Sequence, residues 1–432
     1  PAFSVAWNVA EEKFIKKHLK WMNMFKLRYS YGKVGNDQLG ERFPYLYTIA
    51  SKYKQDNKTE TFPGWNWGDY GYDKTYPGMT YTQLASPDVT WEVATKHDLG
   101  VDLSLFDDKF TATVDYFHEQ RDGIYMERKY LPAMVGIVRS NPKANVGSVL
   151  SQGFDGNLAY KQKIGKVNIT VRGNMTYSKN EILEKDEENS VYPYKKEVGY
   201  RVNQAKGLIA LGLFKDYDDI RNSPQQTEWG KVQPGDIKYK DVNGDGIING
   251  NDKVAIGATT KPNLIYGFGI SAQWNGFDFN MHLQGAGKSS FFIEGHTVFA
   301  FSDNQWGNVL ENLVKDRWVD AQTAEKLGIP ANENPNASYP RLSFGKNDNN
   351  QQKSTFWLRN GSYLRLKTLE VGYTLPKSIV NKIKFNKIRV FFIGTNLLTF
   401  AKFKEWDPEL GSSTGTEYPL SKVFTLGLTV NI

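Results

Sequence analysis

From Val423 to Ile432 the chain alternates without a break: Phe424, Leu426, Leu428, Val430 and Ile432 take one face of an extended strand, and Thr425, Gly427, Thr429 and Asn431 take the other. A period of two with one apolar face belongs to a sheet that is wet on one side only. The pattern leaves few folds open, because every apolar face needs a cover. In a soluble protein that cover is a second sheet. In an outer-membrane barrel it is lipid, and the terminal strand pairs with the first to close the cylinder.

Composition narrows the choice. A length of 432 residues would suggest about three soluble domains, a prior that fails for a single barrel. Mean hydropathy is -0.54, and no run of about 18 apolar residues could span a membrane as a helix. Barrel strands leave no such run, since lipid-facing and lumen-facing residues alternate. The 24 Tyr, 25 Phe and 11 Trp exceed what a core of this size calls for, and girdles at two membrane interfaces would use part of the excess. With no cysteine, disulfides and thiolate sites are excluded. The net charge of +7, spread over 54 basic and 47 acidic residues, suits either an anionic surface such as lipopolysaccharide or an ordinary solvated one. The sequence opens at Pro1 on FSVAWNV, with neither an initiator Met nor a signal peptide, so it is expected to be the C-terminal part of a longer protein.

Reading alternation against turn residues gives about eleven strands. They fall at Phe3 to Val9, Phe25 to Tyr31, Trp91 to Phe106, Phe110 to Met126, Phe154 to Tyr160 and Val167 to Tyr177, then at Leu264 to Trp274, Phe277 to Gly285, Tyr363 to Leu375, Ile388 to Phe400 and Val423 to Ile432. Their connections take turns at being short and long. The short ones include Asp107 with Asp108, KQKIGK, and the Asn275-Gly276 pair suited to a two-residue hairpin. The long ones include 36 to 88, the segment LPAMVGIVRSNPKANVGS, and the longest insertion, 179–263. Short periplasmic turns facing long extracellular loops predict an all-β fold, a transmembrane antiparallel β-barrel whose last strand runs inward. The competing reading is a soluble all-β protein with decorated loops.

Several stretches then become familiar. PAFSVAW, LRYSYGKVGN, SPDVTWEVATKHDLGVDLSLFDDKFTATVDYF, GDIKYKDVNGDGIINGNDK, YGFGISAQWNGFDFNMHLQG and YLRLKTLEVGYTLP, in this order, span nearly the whole chain. Together they resemble the C-terminal half of the SusC/RagA family of TonB-dependent outer-membrane transporters of the Bacteroidetes. The resemblance implies a barrel of roughly 22 strands filled by an N-terminal plug, of which residues 1–432 would supply about half. The plug and the TonB-contacting segment would be missing, so this piece alone could neither close nor transport. Families of this kind usually end on an aromatic residue, whereas the sequence ends on Ile432.

The sharpest local motif is DVNGDGIINGND, 241–252. Asp241, Asn243 and Asp245 hold positions one, three and five of a calcium loop, and Gly246 holds the sharp-turn position. Ile247 offers its carbonyl, Asn249 acts through a water, and Asp252 closes the shell where a bidentate Glu is usual. Structural calcium is therefore expected in an extracellular loop. The plain alternative is a turn built of residues that tolerate turn dihedrals. Trp65, Trp67, Tyr70, Tyr72 and Tyr76 crowd the first long loop and are the candidate substrate-binding residues, though clustered aromatics also pack loops against themselves. His18, His97, His118, His282 and His296 show no zinc spacing, and no nucleophile elbow, phosphate loop or dinucleotide fingerprint occurs. An enzyme is not expected, nor a nucleic-acid partner.

Three functions follow. The first, implied by the resemblance, is energised import of an oligosaccharide or peptide with a SusD-like surface lipoprotein and the TonB system, in outer-membrane lipid. The second is a passive channel or adhesin barrel. The third is a soluble calcium-stabilised glycan-binding β-protein.

Overall fold

The computed structural model describes residues 1–40, 42–55, 58–61, 65–67, 74–76, 78–129, 141–301 and 309–432. Its main element is an eleven-stranded antiparallel sheet in which each strand pairs with the next along the chain. The strands are β1 (Ala2–Asn8), β2 (Met22–Asn36), β3 (Glu92–Leu105), β4 (Phe110–Glu127), β5 (Lys143–Ile164) and β6 (Val167–Glu184). Then follow β7 (Leu264–Trp274), β8 (Phe277–Gly287), β9 (Tyr363–Thr374), β10 (Lys387–Ala401) and β11 (Val423–Asn431). All eleven alternating segments of the sequence are strands of this sheet.

Register decides what each face carries, because directly opposed residues share a face. One row reads Val5, Tyr29, Leu99, Tyr116, Phe154, Tyr177 and Leu264 across seven strands. The row beside it reads Ala6, Arg28, Gly100, Asp115, Asp155 and Thr176. The first face is apolar and uncovered: Leu426 is 79% and Phe424 65% exposed. A soluble sandwich would bury such a face between sheets. Here it is available to lipid along its whole width. Aromatic side chains mark the short-turn end of that face, with Trp21 stacked on Phe106 at 5.4 Å and Phe277 between Trp274 at 6.2 Å and Tyr373 at 4.5 Å. Such rings suit the level where hydrocarbon meets headgroups. His97 and His118, opposed on β3 and β4, lie on the same outer face, with Tyr29 Oη 2.8 Å from His97 Nδ1.

Several boundaries differ from those read in the sequence. Residues 143–153, taken as loop, extend β5 to 22 residues and pair with β4 and β6. Gly147 and Gly153 disguise the alternation there. The turn after β5 is Gly165 and Lys166 alone, not KQKIGK, with Gly165 at φ +60°. β6 likewise runs to Glu184, so the longest insertion begins at 185 rather than 179. A tilted strand of 9–11 residues crosses a bilayer. β4, β5 and β6, at 18, 22 and 18 residues, therefore project well past the apolar band on the long-connection side. At the NG turn, Asn275 and Gly276 have φ of 46° and 89°, as the hairpin required.

The hydrophobic core lies among the connections, away from the sheet. Leu208, Leu213, Ile237, Tyr239 and Ile248 from the insertion 185–263 pack with Phe291, Ile293, Val298, Trp318, Tyr339 and Trp357 from 288–362 and with Phe403 from the last loop. Three long connections thus make one cap above one end of the wall.

Candidate functional site

The inner wall and the cap are the two surfaces that a solute would meet. On the wall, charged side chains from neighbouring strands bind each other across the pleat. Arg28 donates to Asp102 through Nε at 2.8 Å and Nη2 at 3.1 Å, and the same Nη2 lies 2.8 Å from Asp115. Gly100 sits beneath them: a Cβ there would come within 2.2 Å of Asp115 Oδ1 and 2.6 Å of the Arg28 guanidinium. A second cluster joins Arg389 to Asp278 and Glu370 over Gly372. Arg172 donates to Asn280 at 2.6 Å. The wall is therefore lined with planar, charge-assisted donors held flat by absent side chains.

The cap is tied by a buried carboxylate. Asp236 has no solvent exposure. It accepts from Asn350 Nδ2 at 2.9 Å, Asn347 Nδ2 at 3.2 Å and the Gln233 backbone at 2.8 Å, and is paired with Arg341 at 2.8 Å. Around it Gln226 donates to Asn349 at 2.7 Å, Tyr239 to the Asn349 carbonyl at 2.7 Å and Trp357 to the Asn350 carbonyl at 2.6 Å. Burial pushes the Tyr239 hydroxyl pKa well up, so it stays a donor. Arg365, only 2% exposed, pairs with Asp407 and Glu409 and locks the last loop onto β9. None of these groups was singled out from sequence. The Asn-rich run 347–352 was a visible signal, but its partners lie over 100 positions away.

The segment 241–252 folds as a tight oxygen-rich loop. Asp241 accepts from Gly244 at 2.7 Å and Gly246 at 2.8 Å, Asn243 from Asp245 at 3.1 Å, and Asp245 from Ile247 at 2.9 Å. Asn249 accepts from Asn251 at 2.7 Å. Asp252, fully buried, accepts from Val242 and Asn249, each at 2.8 Å, and so ties the two ends of the loop together. Gly244 and Gly246 take φ of +76° and +80°, a backbone that L side chains resist. Among the described residues Asp241, Asp245 and Asp252 have no ion pair. Burial first, and then the charges of Asp252, Tyr192, Asp245 and Asp241, raise the Tyr194 hydroxyl above its usual range. Also among the described residues, no three His, Cys, Asp or Glu side chains are gathered to hold a metal by themselves. A bound ion would need the Asn243 and Asn249 side chains and the Ile247 carbonyl as well. These donors are hard oxygens, the class that calcium takes.

Of the candidate aromatics, Trp65 and Trp67 lie on a short strand, Trp65–Trp67, that pairs with Lys74–Tyr76 so that Trp65 opposes Tyr76. Tyr70 and Tyr72 lie outside the described residues.

A half-charged, half-apolar antiparallel wall with long connections on one side is the architecture of an outer-membrane β-barrel. No family model matches the chain. Curated relatives do: TonB-dependent receptor P26 of Formosa agariphila is 26% identical over 100% of this chain and 42% of its own length. TonB-dependent receptor SusC of Bacteroides thetaiotaomicron is 22% identical over 100% of this chain and 40% of its own length. Among solved structures, one of the RagAB peptide transporter aligns with a TM-score of 0.70 at 20% identity, covering 100% of this chain and 43% of the matched one. The chain is thus similar along its whole length to TonB-dependent receptors, SusC among them, shares its fold with RagAB, and spans about two fifths of the length of the curated relatives it matches.

Proposed function

We propose that this chain is part of an energised importer that takes up an oligosaccharide or peptide across the outer membrane of a Gram-negative bacterium. In this reading it works with a SusD-like surface lipoprotein and draws on the TonB system through the rest of the protein. The observation that carries the reading is the pairing of an uncovered apolar outer face with an ion-paired inner wall beneath a packed cap. The relatives named as receptors and transporters support it and point away from an enzyme. RagAB is called a peptide transporter, and sugar or peptide is left to experiment for this chain.

The test is growth of a deletion strain on defined glycans and peptides as sole nutrients, with the intact gene restored in cells with and without TonB. Growth that depends on both the gene and TonB supports import. Growth that needs the gene but not TonB would favour a passive channel and sink the energised reading.

We also infer that Asp241, Asn243, Asp245, Ile247, Asn249 and Asp252 hold a structural calcium ion. The oxygen-rich turn, closed by the buried Asp252 carboxylate, supports this. An ion at a hundredfold above its dissociation constant stabilises its host by about 2.7 kcal/mol. Added calcium should therefore slow proteolysis of the segment around 241–252, and Asp241→Ala should abolish that protection. Protection unaltered by the substitution would refute the site.

A further inference from the structure

Between the arm carrying Tyr217 and Gln233 and the segment 317–327, the cap opens into a cleft of about 500 Å³. Arg317, Trp318, Gln322 and Arg341 line it. Arg317 is 8% and Trp318 5% exposed. Trp318 Nε1 is buried with no hydrogen-bond partner. Arg317 donates to the Val314 carbonyl and, among the described residues, has no ion pair. A buried N–H without a partner and a buried cation without an anion both destabilise a fold unless a ligand supplies the missing group.

The backbone of both residues is held in place. The Trp318 backbone N–H donates to the Tyr339 carbonyl at 3.0 Å, and Val319 and Asn332 exchange backbone bonds of 2.9 Å. Asn332 Nδ2 holds the Arg317 carbonyl at 2.8 Å. The indole lies against Gly235, where a Cβ would come within 2.3 Å of the ring. The lining also holds the Arg341 guanidinium and the Asp320 carboxylate. Arg341 is paired with Asp236, and Asp320 accepts from the Thr323 backbone at 2.8 Å. Arg317 is thus the cation of the lining that has no ion pair among the described residues, next in sequence to an orphaned donor.

We propose that the cleft binds a carboxylate, with the Arg317 guanidinium and the Trp318 indole N–H as its donors. A guanidinium presents a planar fork matched to that group, and a buried site makes each bond count. The carboxylate belongs to an acidic sugar or to a peptide terminus. The assignment rests on the import reading only in that a nutrient delivers the group.

Calorimetry on the full-length receptor in detergent tests it, using trigalacturonate against its methyl ester and a short peptide against its C-terminal amide. The charged member of one pair should bind about tenfold more tightly than its neutral counterpart, equal to about 1.4 kcal/mol. Whichever pair discriminates identifies the source. Arg317→Gln and Trp318→Phe should each remove that discrimination and leave neutral probes unchanged. The Phe variant keeps a ring over Gly235, so its effect is not one of misfolding. Equal binding of both members of each pair overturns the proposal, as does discrimination that survives both substitutions. So does an Arg317→Gln effect seen only on association with a surface lipoprotein. Lost discrimination with TonB-dependent growth intact leaves import standing. Charged-probe binding without TonB-dependent growth removes import and keeps the site.

Discussion

Single side chains in the cap carry separable energies. Asp320 caps the helix Ala321–Leu327, its Oδ1 accepting from Thr323. The Thr323 hydroxyl and then its backbone N–H hold the Asp320 carboxyl below its ordinary pKa. The folded pKa being the lower one, this stabilisation is fully present above the unfolded value, near 3.9, and is lost as pH falls through the folded value. Asp320→Ala should weaken the helix by about 1 kcal/mol at neutral pH, read as faster amide exchange over 321–327. Asp320→Asn should keep the cap and lose the acid sensitivity. Equal exchange in the wild type and the Ala variant would contradict the assignment. The turn at 241–252 was legible as a motif because most of its hydrogen bonds close within a dozen positions, the Asn243 to Tyr192 bond being an exception. Asp236, Arg317 and Arg365 were not, since each derives its meaning from residues far along the chain or from a lack of any.

At the level of strands, alternation was nearly sufficient. It located all eleven, and the NG turn as well, because each strand writes its own period and needs no partner to be recognised. It failed where Gly and Ser interrupt the period, as in 143–153. The two faces make opposite predictions for adjacent residues on β11. Leu426 opposes Phe392 on the outer face, and Thr425 opposes Ile393 on the inner. Leu426→Arg should destabilise the barrel by about 2–4 kcal/mol if it sits near the bilayer midplane, whereas Thr425→Arg should cost far less. Urea titration of the folded, heat-resistant band on gels measures both, and equal shifts would mean the faces are misassigned. Gly100 offers a second test. Gly100→Leu pushes into the Arg28 and Asp115 side chains, and should lower the yield of folded barrel, while Gly165→Asn in the open turn should not.

For the molecule as a whole, the cap behaves as one body because its parts have no core of their own. Removing the central carboxylate by Asp236→Ala leaves Arg341, Asn347 and Asn350 without their shared acceptor. Breaking a buried pair in this way costs about 3–5 kcal/mol. The expected outcome is that protease sensitivity rises together in 205–240 and 335–350, with the barrel strands unaffected. Sensitivity confined to one segment would mean the connections are independent. This dependence also fixes an order of events. Leu208, Phe291 and Phe403 can meet only after the hairpins between them have crossed to the same side in the correct register. Contacts so far apart along a chain close late. The cap is thus a record of completed assembly: in pulse-labelled refolding its amides should gain protection last, and a barrel with one hairpin out of register should never gain it.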